Sequence, residues 1–178
     1  MGTAGISRAR WVRYGAVVAF GIGFGYVEAA VVHYLRLVLG PQLDYDAPVR
    51  RVYLDLGVIR FVDPVQPMLV DPDLARAETV REAATILMLA AVAVLAGRGF
   101  WHGVAAFFIA FTVWDLTYYL FLRVLTGWPT SLADTDVFFL IPVTWLGPVA
   151  TPVVASAVVL AVSSWWYLRP AQWARPTS

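Results

Sequence analysis

Two acidic side chains fall where the surrounding sequence makes them costly. Glu28 lies near the middle of the apolar stretch from Arg13 to Gly40, and Asp115 near the middle of another from Gly103 to Leu125. A carboxylate deep in a bilayer costs roughly 2.5 to 3.5 kcal/mol on insertion scales, so it demands a partner, a proton or an ion. A rise of about 1.5 Å per residue puts Glu28 roughly 22 Å from Arg13 and Asp115 roughly 18 Å from Gly103. If the two helices start on the same side, both acids reach a similar depth, somewhat outside the midplane. Glu82 opens a third apolar stretch on that outer side. Tyr118 and Tyr119 share a face of Asp115's helix, and Arg36 shares a face with Glu28. Carboxylates so placed can exchange a proton, and Glu28, Glu82 and Asp115 together would suit the oxygen preference of a divalent cation. Tyr118 and Tyr119 supply phenolic donors, and Arg36 or Arg81 a guanidinium for an anionic group. Each also has a structural alternative. Glu28 can be a protonated packing residue, Glu82 can close a capping box with Thr79, and the tyrosines can belong to an interfacial belt.

The elements that must position these groups are helices in lipid. Of 178 residues, 60% are apolar and only 14% charged, and mean hydropathy is +0.70. Soluble domains carry nearer a quarter charged residues. The pattern predicts an all-α, polytopic transmembrane helix bundle in one integral membrane domain covering 1–178. Its spans run over about 13–39, 81–97, 103–125 and 149–167. A broken or re-entrant segment, 137–148, precedes the last span, because Pro142, Gly147, Pro148 and Pro152 interrupt the apolar run. Irregular backbone at membrane depth is tolerated only where it is buried in protein or lines a cavity, so its free carbonyls are expected near the acids. One long outer loop, 41–79, is too charged to cross. Within it Val52 to Val62 suits a short hairpin or an interfacial strand. Asp71 followed by Pro72 offers an earlier start for the second span, one that would set Glu82 inside the helix.

Basic residues ahead of the first apolar run give the outline of a secretory signal. The run continues past Val27-Glu28-Ala29, however, so an uncleaved first helix is expected, with Ser7 as its N-cap. Gly21, Gly25 and Ala29 form a small-residue face that lets another helix approach closely, from this chain, a second copy or a larger membrane complex. Ser131 or Asp134 is expected to cap the helix that follows the third span. Trp165, Trp166 and Tyr167 mark the far interface, and His33 and His102 read as interfacial rather than ligating. Positive-inside reasoning places both termini in the cytoplasm.

The segments Gly25-Tyr26-Val27-Glu28-Ala29, Arg81-Glu82-Ala83-Ala84-Thr85, Trp114-Asp115 with Tyr118-Tyr119, Gly127-Trp128-Pro129 and Phe139-Leu140-Ile141-Pro142 with Gly147-Pro148 resemble a family of small uncharacterised prokaryotic integral membrane proteins. The resemblance spans most of the chain outside the middle of the long loop. It implies no particular activity, and the chain is expected to be a multi-pass protein of a prokaryotic cytoplasmic membrane. Cysteine is absent, which removes disulfides and iron-sulfur ligation. The two histidines lie on opposite sides, which disfavours bis-histidine haem. No Gly-rich phosphate loop points to a nucleotide, and the near-neutral charge gives no reason to expect nucleic acid. Three readings remain open: a carrier or pathway for a proton or hard cation, a membrane enzyme acting on a lipid-like substrate, and an accessory subunit of a larger complex.

Overall fold

A computed structural model describes residues 8–39, 49–64 and 72–169. The expected N-cap Ser7 and the chain beyond Arg169 lie outside these residues, as do parts of the long loop. Four helices are long and apolar enough to cross a membrane: α1 (Arg8–Leu39), α2 (Pro72–Ala96), α3 (Phe100–Thr126) and α4 (Ala150–Leu168). Many of their apolar side chains point outward. Val38 is 82% exposed and Leu95 83%, the arrangement of helices whose solvent is lipid.

The all-α expectation needs correction. Residues 49–64 and 135–148 form four strands, β1 (Val49–Asp55), β2 (Arg60–Pro64), β3 (Thr135–Phe139) and β4 (Thr144–Pro148). They make one antiparallel sheet in the order β1-β2-β4-β3. The hairpin expected in the long loop is present. The broken segment 137–148 is no re-entrant helix but a second hairpin, joined to the first by Arg60 opposite Leu146, Phe61 opposite Trp145 and Val62 opposite Thr144. Pro142, Gly147 and Pro148 disfavour a helix, whereas Val137, Phe138, Phe139 and Trp145 suit a pleated surface, and cross-strand bonds then satisfy the backbone.

The helix core is built on α3. Gly21 and Gly25 of α1 lie directly against it: a Cβ on Gly21 would stand 2.8 Å from Val113, and one on Gly25 2.8 Å from the Trp114 carbonyl. Thr117 Oγ1 donates to the Gly21 carbonyl at 3.3 Å across this contact. The close partner of Gly21 and Gly25 is therefore a helix of the same chain, and Ala29, one turn on, is fully buried. At one end of the bundle, Arg10 donates to the Arg169 carbonyl at 2.8 Å and Tyr167 to Ala96 at 3.0 Å. These contacts gather the start of α1, the α2–α3 turn and the end of α4. The sheet occupies the opposite end, where Thr151 of α4 donates to the Val58 carbonyl at 2.9 Å.

The second span begins earlier than 81, at Pro72, with proline at a first helical position where its missing N–H costs nothing. Thr79 is consequently mid-helix and donates to Ala75 at 2.8 Å, so no capping box forms with Glu82. Gly127 ends α3 with a left-handed φ of 76°, its N–H closing on Arg123 at 3.0 Å. The Asp134 carboxylate caps no helix. It accepts from Ser131 Oγ at 2.8 Å and from the Thr130 hydroxyl at 2.9 Å, and these bonds hold it down at about 2.

Candidate functional site

Between the four helices and the sheet lies a cavity of about 330 Å³. Five of the six predicted site residues line it: Glu28, Glu82, Asp115, Tyr118 and Tyr119. Helix α1 brings Glu28 because Gly21 and Gly25 seat that face on α3, and the same screw turns the acid toward α2. There Arg81 Nη1 meets a Glu28 carboxylate oxygen at 2.5 Å, while its Nε and Nη2 meet Glu78 at 2.8 and 2.7 Å. Arg81, rather than Arg36, is thus the basic partner of Glu28.

Glu82 lies one residue on. Its carboxylate accepts the Leu140 N–H, at 3.0 Å to one oxygen and 3.2 Å to the other. The irregular backbone beside β3 does face an acid, as expected, but it offers an N–H donor where carbonyls for a cation were anticipated. Asp115 accepts from Ser156 Oγ of α4 at 2.7 Å. Tyr119 donates to Asp136 at 2.8 Å, and Asp136 is only 2% exposed on β3. Burial pushes the Asp136 carboxyl up to about 6, against the lowering effects of the Tyr119 hydroxyl, the Val137 N–H and the Arg36 charge. Tyr118 packs edge to face on Tyr119 with ring centroids 4.9 Å apart.

Arg36 does not line the cavity. It lies two helical turns beyond Glu28, with its guanidinium 4.4 Å from the centre of the Trp128 ring just past α3. The proposed metal trio is also not assembled. Among the described residues no three acidic or histidine side chains are grouped to hold a metal ion, since Glu28, Glu82 and Asp115 are each drawn to a different partner.

Sequence reasoning missed Glu78, Asp136 and Ser156 as parts of this wall. Glu78 could have been found by extending α2 back to Pro72, which puts it one turn before Glu82 on the same face. Asp136 could have been found by reading Thr135 to Phe139 as a strand, since alternation then separates it from Val137. Ser156 carries no local signal: a small hydroxyl in an apolar helix is identified only by what faces it. The remaining wall is aromatic, with Phe111, Trp114, Phe139 and Trp145 in mutual contact.

Comparison of the chain with protein-family models, curated proteins and solved structures finds no match.

Proposed function

We propose that this chain is a multi-pass protein of a prokaryotic cytoplasmic membrane whose cavity binds or moves a proton or a cation. The observation that carries the reading is an imbalance of charge. Glu28, Glu78, Glu82, Asp115 and Asp136 line the cavity with a single guanidinium, Arg81, which Glu28 and Glu78 already engage. Among the described residues, Glu82, Asp115 and Asp136 form no salt bridge. Like charges at close quarters in a low-dielectric space are neutralised by protons or cations, and exchange of one for the other is the elementary step of a coupled carrier. The N-terminal arginines favour the helix-turn end as cytoplasmic and the sheet end as external.

The test is proton uptake by the purified protein between about pH 8 and pH 5, with Asp115→Asn and Glu82→Gln compared against wild type. Wild type should take up more protons than either variant, and proteoliposomes should dissipate an imposed pH or cation gradient faster than empty vesicles. Identical uptake in all three proteins would overturn the reading. A second reading has an observation of its own. The Glu28–Arg81–Glu78 clamp ties α1 to α2, as a register-setting pair in an accessory subunit would, and it needs no turnover.

A further inference from the structure

The cation-site reading does not name the cation, and the cavity walls bear on that. Phe111 of α3 stacks on Phe139 of β3 with ring centroids 6.1 Å apart and planes 16° from parallel. Trp145 of β4 packs edge to face on Phe139 at 5.6 Å, and Trp114 on Phe111 at 5.3 Å. Helix and hairpin therefore present one aromatic wall around the carboxylates. A volume of about 330 Å³ lies at the lower end of the range for small-molecule pockets, roughly 300 to 1,000 Å³. A bare metal ion needs far less room and a tight shell of oxygens, a shell that no three acidic or histidine groups supply among the described residues. A cation clothed in hydrocarbon has little hydration to lose and gains from ring faces.

Resting on the cation-site reading, we propose that the ligand is an organic cation of the quaternary ammonium or phosphonium type. Its charge is held by Asp115 and Glu82, and its apolar substituents lie against Phe111, Trp114, Phe139 and Trp145. Protons compete for the same groups. The titratable side chains facing the cavity are Glu28 from α1, Glu78, Arg81 and Glu82 from α2, and Asp136 from β3. Helix α3 adds Asp115, Tyr118 and Tyr119, while α4 adds only the hydroxyls of Thr151 and Ser156. With Glu28 and Glu78 committed to Arg81, and Asp136 facing the Arg36 charge and the Tyr119 hydroxyl, the exchange falls to Asp115 and Glu82: a carboxylic acid loses its proton to water as the cation pairs with the carboxylate.

Tetraphenylphosphonium is the probe, measured by equilibrium dialysis against the full-length protein in detergent, with proton release followed by a dye in weak buffer. Binding should saturate at about pH 8.5 with little proton release, and weaken about tenfold or more at about pH 5.5, where roughly one proton should be released per probe bound. Asp115→Asn, which still accepts the Ser156 hydroxyl, should weaken binding about tenfold, and Phe139→Leu about threefold. Uncharged triphenylphosphine oxide should not compete. Absence of saturable binding, or binding indifferent to both pH and Asp115→Asn, overturns the inference. If wild type still takes up protons that Asp115→Asn does not, while the probe fails to bind, the cation-site reading stands and only the organic-cation inference falls. If neither signal appears, both fall.

Discussion

Arg81 sits between Glu28 and Glu78, and the two carboxylates share its positive charge. Arg81→Met strands both acids in a partly enclosed wall and should cost on the order of 3 kcal/mol. Glu28→Gln leaves Arg81 still bonded to Glu78 and should cost about half as much, as read from thermal unfolding in detergent. Equal losses would mean that Glu78 contributes nothing to holding the guanidinium. Asp136 makes a prediction in pH. Its folded value of about 6 lies above the ordinary 3.8, so the folded protein binds this proton more tightly than the unfolded chain does. The sign follows: the stabilising contribution is complete below about pH 4 and is lost as pH rises through 6, a change of roughly 3 kcal/mol at about 1.4 kcal/mol per tenfold in proton affinity. Melting temperatures of Asp136→Asn should lack this slope between about pH 4 and pH 7. A slope unchanged from wild type would assign the pH dependence to another group.

At the scale of elements, the α1–α3 contact depends on the absence of side chains at two positions of α1. A Cβ on Gly25 would stand 2.8 Å from the Trp114 carbonyl and 2.9 Å from the Tyr118 nitrogen. Because these are backbone atoms, the helices must separate to admit it. Gly25→Ala should cost about 1 to 3 kcal/mol, whereas Gly23→Ala, which meets nothing within 4 Å, should be neutral or gain up to about 1 kcal/mol from lost backbone freedom. Scanning calorimetry on the two variants reads the difference. Since Gly25 lies less than one turn from Glu28, the same substitution should also weaken the contact between Glu28 and Arg81. The two β-hairpins matter to the site for a related reason: β3 and its flank supply Asp136 and the Leu140 N–H, so the sheet is part of the cavity wall.

For the whole molecule, the ends of the helices sort into two groups. The Arg10 contacts with Leu168 and Arg169 hold the start of α1 to the end of α4, with the α2–α3 turn beside them, and the sheet stands at the other end. The chain contains no cysteine, so single cysteines report topology cleanly. Leu56→Cys in the β1–β2 turn and Arg98→Cys in the α2–α3 turn are both exposed and should be labelled by an impermeant maleimide from opposite faces of the membrane, Arg98→Cys from the cytoplasmic one. Labelling of both from one face would overturn the four-span arrangement.

How far the chain could be understood without its structure varies with the range of the interaction. The four apolar helices follow from composition and run length, because lipid selects long apolar segments one at a time. That Glu28, Glu82 and Asp115 line one cavity follows from helical screw and depth. So does the seating of Gly21 and Gly25 against another helix. Local sequence also permitted the β1–β2 hairpin and a start of α2 at Pro72. The pairing of β2 with β4 was not legible, since it joins Phe61 to Trp145 across eighty-odd residues and no periodicity within either segment specifies the other. For the same reason only the tertiary structure decided that Arg81 rather than Arg36 meets Glu28, that Glu82 takes the Leu140 N–H, and that Ser156 meets Asp115. Each side chain has several partners within reach of its length, and the packing of the helices and sheet leaves one.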